Sequence, residues 1–440
     1  MSDPFVLGAT GLAVLVGLIA LRMPVAYAMA AVGLGGIWAL SGPLILMSQM
    51  KTLAYGVFSN YDLSVVPLFL LMGHLATRAR LSHALFRAAN AWLGRFRGGV
   101  AMAAIAACAG FGAICGSSLA TASTMGRVAL PELRRYRYSP ALATGTLAAG
   151  GTLGILIPPS IVLVVYSVIV EASIVQMFSA AMLPSALAVL FFFGAILVYT
   201  WIVPEAGPAG GRVDRREFLE ATTGAIPVVL VFGIVLGGMY AGLYTATPAA
   251  SIGVALVLLY GVLRRRLSIR DLGDALLDTA KNAGMIYLIV LGAELLKIFM
   301  SRGGVPQAAA EMMLASGLPP YLMLALVLLA LVAMGMFMDS LSIILLTLPF
   351  FWPVIAALDF GLGPNETKLW FGILALIVVE LGLITPPVGM NVFVINALAR
   401  NVPMIETFRG AMPFVLVELL RVGVLLAFPG IVLAFPLWIG

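Results

Sequence analysis

Apolar residues in this chain gather into long runs separated by short polar or basic stretches. A membrane-spanning helix needs about 20 consecutive, mostly apolar residues, and most of these runs approach that length. The pattern predicts an all-α integral membrane protein. The runs cover approximately residues 5–21, 24–40, 63–77, 99–130, 142–166, 180–203, 224–242, 246–263, 281–300, 321–357, 369–394 and 411–436.

Two of the runs, 99–130 and 321–357, are too long for one span, and each has a polar break near its middle. The first break is at residues 116–118 and the second at residues 339–342. Each run could form two full spans or a re-entrant hairpin. The arms mostly fall short of spanning length, and polar backbone at mid-membrane depth is tolerated only where protein or a cavity covers it. We therefore expect hairpins whose tips are buried.

Arginines in the loops give an independent test of sidedness, because short cytoplasmic loops carry an excess of Arg and Lys. Arg95 and Arg97 precede the first long run, and Arg134 and Arg135 follow it. A hairpin entering from the cytoplasm has this pattern. Residues 316–320 and 358–368, on either side of the second long run, lack arginine, which indicates entry from the outside. Lys297 and Arg302, on the same predicted side, do not follow the rule. With three spans at the start, the count is about ten transmembrane helices plus two re-entrant hairpins, both termini outside.

After each hairpin comes a helix interrupted by paired prolines. Residues 154–159 and 382–387 both consist of a glycine, three further residues and two prolines. Interrupted apolar segments at matching places in two halves indicate the central site of a transporter, and the opposite sidedness of the hairpins predicts two inverted-topology repeats. The predicted units are an N-terminal transmembrane helix (1–22), a first repeat (23–203) with hairpin 99–130 and broken helix 142–166, a connecting loop and helix (204–245), and a second repeat (246–440) with hairpin 321–357 and broken helix 369–394.

Composition agrees with this interpretation. Of the 440 residues, 62% are hydrophobic and 10% are charged, whereas a soluble domain carries roughly 25% charged residues. The net charge of +6 could indicate a nucleic-acid partner, but the arginines lie in short loops, where the orientation rule explains them. We expect a lipid bilayer and no nucleic acid as the surroundings of the chain.

The breaks could bind ions, because an unwound helix frees carbonyl oxygens that can coordinate Na⁺ while helix N-termini favour anions. Two cation sites with a substrate between them is the natural hypothesis. Asp339 could be a ligand or a helix cap, and Arg127 could contact substrate or form a structural salt bridge. The nearby oxygen-bearing side chains are Ser117, Ser118, Thr152 and Ser160 in the first half, and Asp339, Ser340, Ser342, Thr385 and Asn391 in the second.

Four motifs, at residues 116–122, 126–132, 150–160 and 382–391, resemble the large membrane subunit of TRAP (tripartite ATP-independent periplasmic) transporters over nearly the whole chain. The resemblance implies an elevator-type carrier of the ion-transporter superfamily in the bacterial inner membrane, driven by a Na⁺ gradient. It also implies an organic acid substrate, such as a C4-dicarboxylate or sialic acid, and two partners. These are a periplasmic substrate-binding protein (P) and a small four-helix membrane subunit (Q), expected here as a separate polypeptide.

The resemblance places cation sites at the hairpin tips and broken helices, and substrate contacts beside them. Na⁺ site 1 would comprise Ser117, Ser118, Gly151, Thr152, Gly154 and Pro158; Na⁺ site 2 Asp339, Ser340, Gly382, Thr385, Pro386 and Met390; and the substrate contacts Ser160, Ser342, Asn391 and Arg127.

Other functions fit the sequence less well. An intramembrane serine protease would need a base, and both histidines, His74 and His83, precede the serines, so we expect no enzyme. A channel is a less suitable interpretation of two guarded sites than a carrier with alternating access. The sequence has no phosphate-binding Gly-x4-Gly-Lys-Ser/Thr motif, which agrees with transport driven by a gradient. The closest alternative is a binding-protein-independent dicarboxylate or citrate carrier of the same superfamily.

Overall fold

The structure, a computed structural model, describes residues 3–211, 214–315 and 317–439. Every long regular element within these ranges is an α-helix, as the apolar runs predict. The helices are α1 (Pro4–Ala20), α2 (Val25–Phe58), α3 (Val65–Arg78), α4 (Leu81–Leu93), α5 (Gly99–Cys115), α6 (Ser118–Arg135), α7 (Pro140–Leu156), α8 (Ile161–Val170), α9 (Ile174–Ile202), α10 (Arg215–Tyr240), α11 (Ala246–Leu263), α12 (Ile269–Arg302), α13 (Val305–Ala315), α14 (Pro320–Gly335), α15 (Ser340–Ala356), α16 (Pro364–Gly382), α17 (Met390–Ala399), α18 (Met404–Ala427) and α19 (Gly430–Ile439).

Both long apolar runs fold as pairs of short helices that pack on each other. The first pair, α5 and α6, is interrupted at residues 116–117, where Gly116 has φ +61. The second pair, α14 and α15, is interrupted at residues 336–339. The second break thus lies slightly earlier than predicted, because Asp339 caps the new helix and Ser340 already begins it.

Both helices with paired prolines are interrupted. The axes of α7 and α8 differ by 43° across residues 157–160, and α16 and α17 are separated by residues 383–389. A proline has no backbone N–H and clashes with the preceding turn, so two in succession end each helix. The peptide bonds Pro158–Pro159 and Pro386–Pro387 are both cis.

Other boundaries differ from those predicted. Helix α4 was not expected, because its basic residues resemble a loop in a hydrophobicity pattern. Helix α2 continues to Phe58 through a kink at Gly42, which has φ +77 and precedes Pro43. The last run divides before Pro429 into α18 and α19.

Two helices form the centre of the molecule. All of α7 from Ala141 to Leu156 is buried, and so is α16 from Leu369 to Gly382. Helices α5, α6, α17 and α18 surround α7, while α14, α15 and α9 contact α16. The outer helices α2, α10, α11 and α12 expose large apolar side chains such as Trp38, Leu230 and Leu259. Exposed apolar surface of this kind suits contact with lipid.

Six of the described helices are long and apolar enough to cross a membrane, and the bent pair α7–α8 makes a seventh if it counts as one span. Several shorter apolar helices accompany them, including α5 of the first hairpin and both helices of the second. The chain is a multi-pass membrane protein, and the count of ten spans in inverted repeats stays a prediction.

Candidate functional site

The tip of the first hairpin lies directly against the broken helix α7–α8. A Cβ atom added to Gly154 would be 2.7 Å from the carbonyl oxygen of Ser117 and 2.4 Å from Oγ1 of Thr121. One added to Gly112 would be 2.6 Å from Cα of Gly154. No side chain fits at these distances, so the first residue of the glycine-to-proline motif has to be glycine for the hairpin to reach the helix break.

The second hairpin contacts its broken helix in the same manner. A Cβ atom on Gly382 would be 2.6 Å from Cα of Gly335 and from the carbonyl oxygen of Val332. Beyond the break, the backbone N–H of Gly389 donates to the carbonyl of Met336 at 3.1 Å. In both halves, therefore, the motif glycine packs on a glycine in the first arm of the hairpin.

Three helices in this region begin with a side-chain cap. Ser117 caps α6 by accepting from the N–H of Ala120 at 3.4 Å, and Ser160 caps α8 by accepting from Leu163 at 3.3 Å. Asp339 caps α15, with Oδ2 3.1 Å from the N–H of Ser342. The positive ends of these helix dipoles therefore lie at the tips and breaks, where they favour negative charge.

The N-termini of α6 and α8 also lie close together. A Cβ atom on Gly116 would be 3.4 Å from the backbone nitrogen of Ile161 and 3.2 Å from the carbonyl oxygen of Pro159. The first hairpin tip and the first helix break thus form one small region that offers both N–H donors and carbonyl acceptors.

Glu380 joins the two hairpins. Its side chain is buried, with 3% of the residue exposed. Oε1 accepts hydrogen bonds from Oγ of Ser118 at 3.4 Å and from Oγ of Ser340, whereas Oε2 has no partner. Ser118 opens the second arm of the first hairpin and Ser340 that of the second. One carboxylate of α16 therefore fixes both tips.

A cavity of about 10 Å³ lies beside Glu380, lined also by Thr152, Glu418 and Arg421. This is room for about one water molecule. Arg421 is buried, pairs with Glu418 and donates to the carbonyl of Pro184 at 3.0 Å. The arginine thus neutralises Glu418 and leaves Glu380 as the acid without a cation partner.

The second helix break reaches into the first half of the molecule. Asn391, which is fully buried, donates from Nδ2 to the carbonyl of Ala148 at 3.3 Å, and its Oδ1 has no partner. A Cβ atom on Gly151 would lie 3.1 Å from Nδ2 of Asn391. Residues predicted for two separate purposes, cation binding at Gly151 and substrate contact at Asn391, are therefore neighbours.

The remaining predicted residues occupy the same two regions with one exception. Oγ1 of Thr152 donates to Ala149 at 2.6 Å, and that of Thr385 to Leu381 at 2.6 Å. Arg127 is exposed on α6, about 13 Å along the helix from Ser118, and forms no ion pair with any described residue, so the alternative of a structural salt bridge is not seen. Pro158, Pro386 and Met390 lie in or at the end of the helix breaks, and Ser342 donates to Oδ1 of Asp339 at 2.6 Å.

The sequence did not reveal the shared role of Glu380 or the partner glycines Gly112 and Gly335. An acid inside the apolar run 369–394 was the available signal for Glu380. A buried acid of this kind needs hydrogen-bond donors, but the two serines that donate to Glu380 are distant from it in the sequence.

The family described as "Tripartite ATP-independent periplasmic transporter, DctM component" matches residues 12–431. The chain belongs to this family. Among curated relatives of the TRAP large permease, the C4-dicarboxylate TRAP transporter large permease protein DctM of Pseudomonas aeruginosa is 35% identical, over 91% of this chain and 94% of its own length. The sialic acid TRAP transporter large permease protein SiaM of Vibrio cholerae is 28% identical, over 96% of both chains.

Structural comparison gives the same fold for the TRAP large permease. The YdaH transporter of Alcanivorax borkumensis aligns with a TM-score of 0.65 at 15% identity and covers 90% of each chain. At this identity the likeness concerns the fold alone. The relatives are permease subunits of transporters, so the chain is a transporter subunit and not an enzyme.

Proposed function

We propose that the chain is the large membrane subunit of a Na⁺-coupled transporter that imports an organic acid by an elevator alternating-access mechanism. The observation that carries the proposal is the joint attachment of both hairpin tips to Glu380, with a helix break beside each tip. Binding of an ion or substrate at one break would thereby change the geometry of the other break, as coupled transport of ion and substrate requires.

The chemistry of the breaks suits Na⁺. No three His, Cys, Asp or Glu side chains converge among the described residues, so a bound cation would rely mainly on neutral oxygens, which match a monovalent ion. Site 1 would use the oxygens around Ser117 and Thr152, and site 2 those around Ser340 and Thr385 together with the carboxylate of Asp339. Na⁺ would supply positive charge beside the helix N-termini, where an anionic substrate is also favoured.

An elevator motion is supported by the division of the helices. The hairpins, broken helices and α18 share buried contacts through α7 and α16, while α2 and α12 pack along each other at the outside. Gly33 allows α2 to approach α12 closely, since a Cβ atom there would lie 2.7 Å from the backbone of Leu295. The inner group would move as one body against the outer helices.

Names of relatives support an organic acid as substrate. Those matched include permeases for C4-dicarboxylates, sialic acid and, in Halomonas elongata, ectoine, all of which carry carboxylate groups. By the tripartite organisation of the family, the partners would be a small four-helix membrane subunit and a periplasmic substrate-binding protein. The membrane would be the bacterial inner membrane.

Uptake into proteoliposomes tests the proposal. The chain would be reconstituted with the small subunit and the binding protein loaded with a radiolabelled C4-dicarboxylate. We expect uptake only with an inward Na⁺ gradient, none with K⁺ in its place, and none without the binding protein. Uptake of free substrate by the chain alone would instead show a binding-protein-independent carrier, and uptake unaffected by replacing Na⁺ would overturn the proposed coupling.

A further inference from the structure

A large basic cavity lies where α4, α10 and α11 meet on the arginine-rich side of the protein. Its volume is about 620 Å³, and the positive-inside rule assigns this side to the cytoplasm. The charged or titratable residues lining it are Arg80, His83, Arg87, Glu220, Tyr260, Arg264, Arg265 and Arg266.

Most of this positive charge has no counter-ion in the described part of the protein. The one acid in the lining, Glu220, pairs with Arg216 at 3.1 Å. Arg266 donates to the carbonyl of Ala79 at 3.3 Å and lies over the ring of Tyr260. The other four arginines form no ion pair with a described residue. The positive-inside rule accounts for basic loops on the cytoplasmic side, but it does not require their arginines to converge on one cavity.

An apolar cavity of about 330 Å³ adjoins the basic one. On α10 the lining of the basic cavity ends at Pro227, and that of the apolar cavity begins at the next residue, Val228. On α4 the two linings alternate, since Leu85 of the apolar cavity lies between Ala84 and Arg87 of the basic one. Val229, at the rim, is 64% exposed on the outer surface. The two cavities are therefore neighbours along α4 and α10, and the apolar cavity extends further along α10 into the hydrophobic zone and opens to its surroundings.

We propose that the two cavities together bind one anionic phospholipid, with its phosphate among the arginines and an acyl chain in the apolar cavity. Arginine matches phosphate through paired hydrogen bonds, and basic pockets between transmembrane helices on the cytoplasmic side bind anionic head groups. A soluble anion would leave the apolar cavity empty, and an acidic protein segment has no acyl chain to fill it.

The lipid would lie between the outer helix α10 and the first hairpin. The apolar cavity is also lined by Ala109 and Ala113 of the hairpin arm α5 and by Ile157 at the α7–α8 break. The lipid would thus contact the outer helix α10 through one wall and the first hairpin and helix break through another. It would hold the hairpin against the outer helix.

Binding to the full-length chain, purified in neutral detergent and stripped of lipid, tests the head-group site. Native mass spectrometry would compare dioleoyl phosphatidylglycerol, dioleoyl phosphatidylcholine and glycerol 3-phosphate with wild type and with the double variant Arg264→Gln/Arg265→Gln. We expect phosphatidylglycerol to bind in preference to phosphatidylcholine, and the double variant to bind it about 30-fold more weakly, since each arginine near the membrane surface contributes roughly fivefold.

Arg22→Gln is the matched control. Arg22 is exposed, lies outside the cavity and has a positive φ of 67, as Arg265 has a φ of 52. The control should bind phosphatidylglycerol as wild type does. Equal loss in the control, or equal binding in all three proteins, would overturn the proposal, because the interaction would then be a general effect of charge.

The acyl part of the site has its own test. In Val229→Trp the indole would fill the apolar cavity at its exposed rim, where the fold tolerates a large side chain. We expect wild type to prefer dioleoyl to dihexanoyl phosphatidylglycerol and the variant to lose that preference. Glycerol 3-phosphate binding as tightly as the lipid would show a soluble-anion site instead. The cavity would instead be a site for a protein partner if the small subunit, in a lipid-free complex, shielded the arginines from chemical modification and added lipid did not change that shielding. Either result would overturn the proposal.

Discussion

Ser118 and Ser340, which belong to different hairpins, donate to the same oxygen atom, Oε1 of Glu380. The two tips therefore have a common reference point in the buried helix α16. A displacement of one tip alters the hydrogen bond that the other tip makes, because both depend on the orientation of one carboxylate.

Replacement of Glu380 should show how strongly the tips depend on it. Glu380→Ala leaves two buried hydroxyls without their acceptor, at a cost of about 1–3 kcal/mol each, so we expect a lower melting temperature and lost uptake. Glu380→Gln keeps an acceptor oxygen and should melt close to wild type while transporting more slowly. Melting in detergent and uptake in proteoliposomes measure both. An alanine variant as stable as wild type would show that the serines do not need the carboxylate.

The motif glycines should be intolerant of a methyl group. Gly154→Ala and Gly382→Ala would each place a Cβ atom within 2.7 Å of backbone atoms and push a hairpin from its helix break. We expect the Na⁺ concentration for half-maximal uptake to rise at least several-fold in each. Gly423→Ala is the control, since no heavy atom lies within 4 Å of its added Cβ atom. If the Na⁺ dependence of all three were unchanged, the close approach would have no part in ion binding.

Substitution of Asp339 can separate a capping role from an ion-binding role. Asn and Asp are equally good N-caps, whereas Ala costs about 0.5–2 kcal/mol. We expect Asp339→Asn to keep wild-type thermal stability and lose Na⁺-dependent uptake, and Asp339→Ala to lose uptake and melt at a lower temperature. Wild-type uptake by Asp339→Asn would limit Asp339 to its observed bonds with Ser342.

Removal of one partner from the buried pair Arg421–Glu418 should lower the stability of the protein strongly, whereas replacement of both partners by apolar residues should not. Arg421→Met leaves an uncompensated buried acid and should destabilise the protein by about 3–5 kcal/mol. The double variant Glu418→Leu/Arg421→Met removes both charges and should recover most of that loss. Chemical denaturation in detergent compares them. A double variant less stable than the single would show that the ion pair itself stabilises the interior.

Much of the fold was predictable because membrane helices and their interruptions are local features of sequence. Paired prolines end a helix wherever they occur, and Ser117 and Asp339 can cap the next one from within their own turn. Helix α4 was not predictable in this way, since its apolar face needs tertiary neighbours to reveal it.

The candidate site was predictable as a set of regions but not as a set of contacts. The motifs identified both breaks and tips, and the structure brings Gly151 and Asn391 together as well as Ser118 and Ser340. These pairings join distant parts of the chain, and no local spacing encodes them. Glu380 was visible as an isolated acid, but its two donors became evident only from packing.

Helix α7 is enclosed by protein along almost its whole length, yet one of its main neighbours, α18, begins roughly 250 residues later in the chain. During synthesis, α7 therefore reaches the membrane long before its final surroundings exist. Its buried Thr144 and Thr146 would meanwhile face lipid or remain in the insertion machinery. A helix translated much later thus completes the packing of α7.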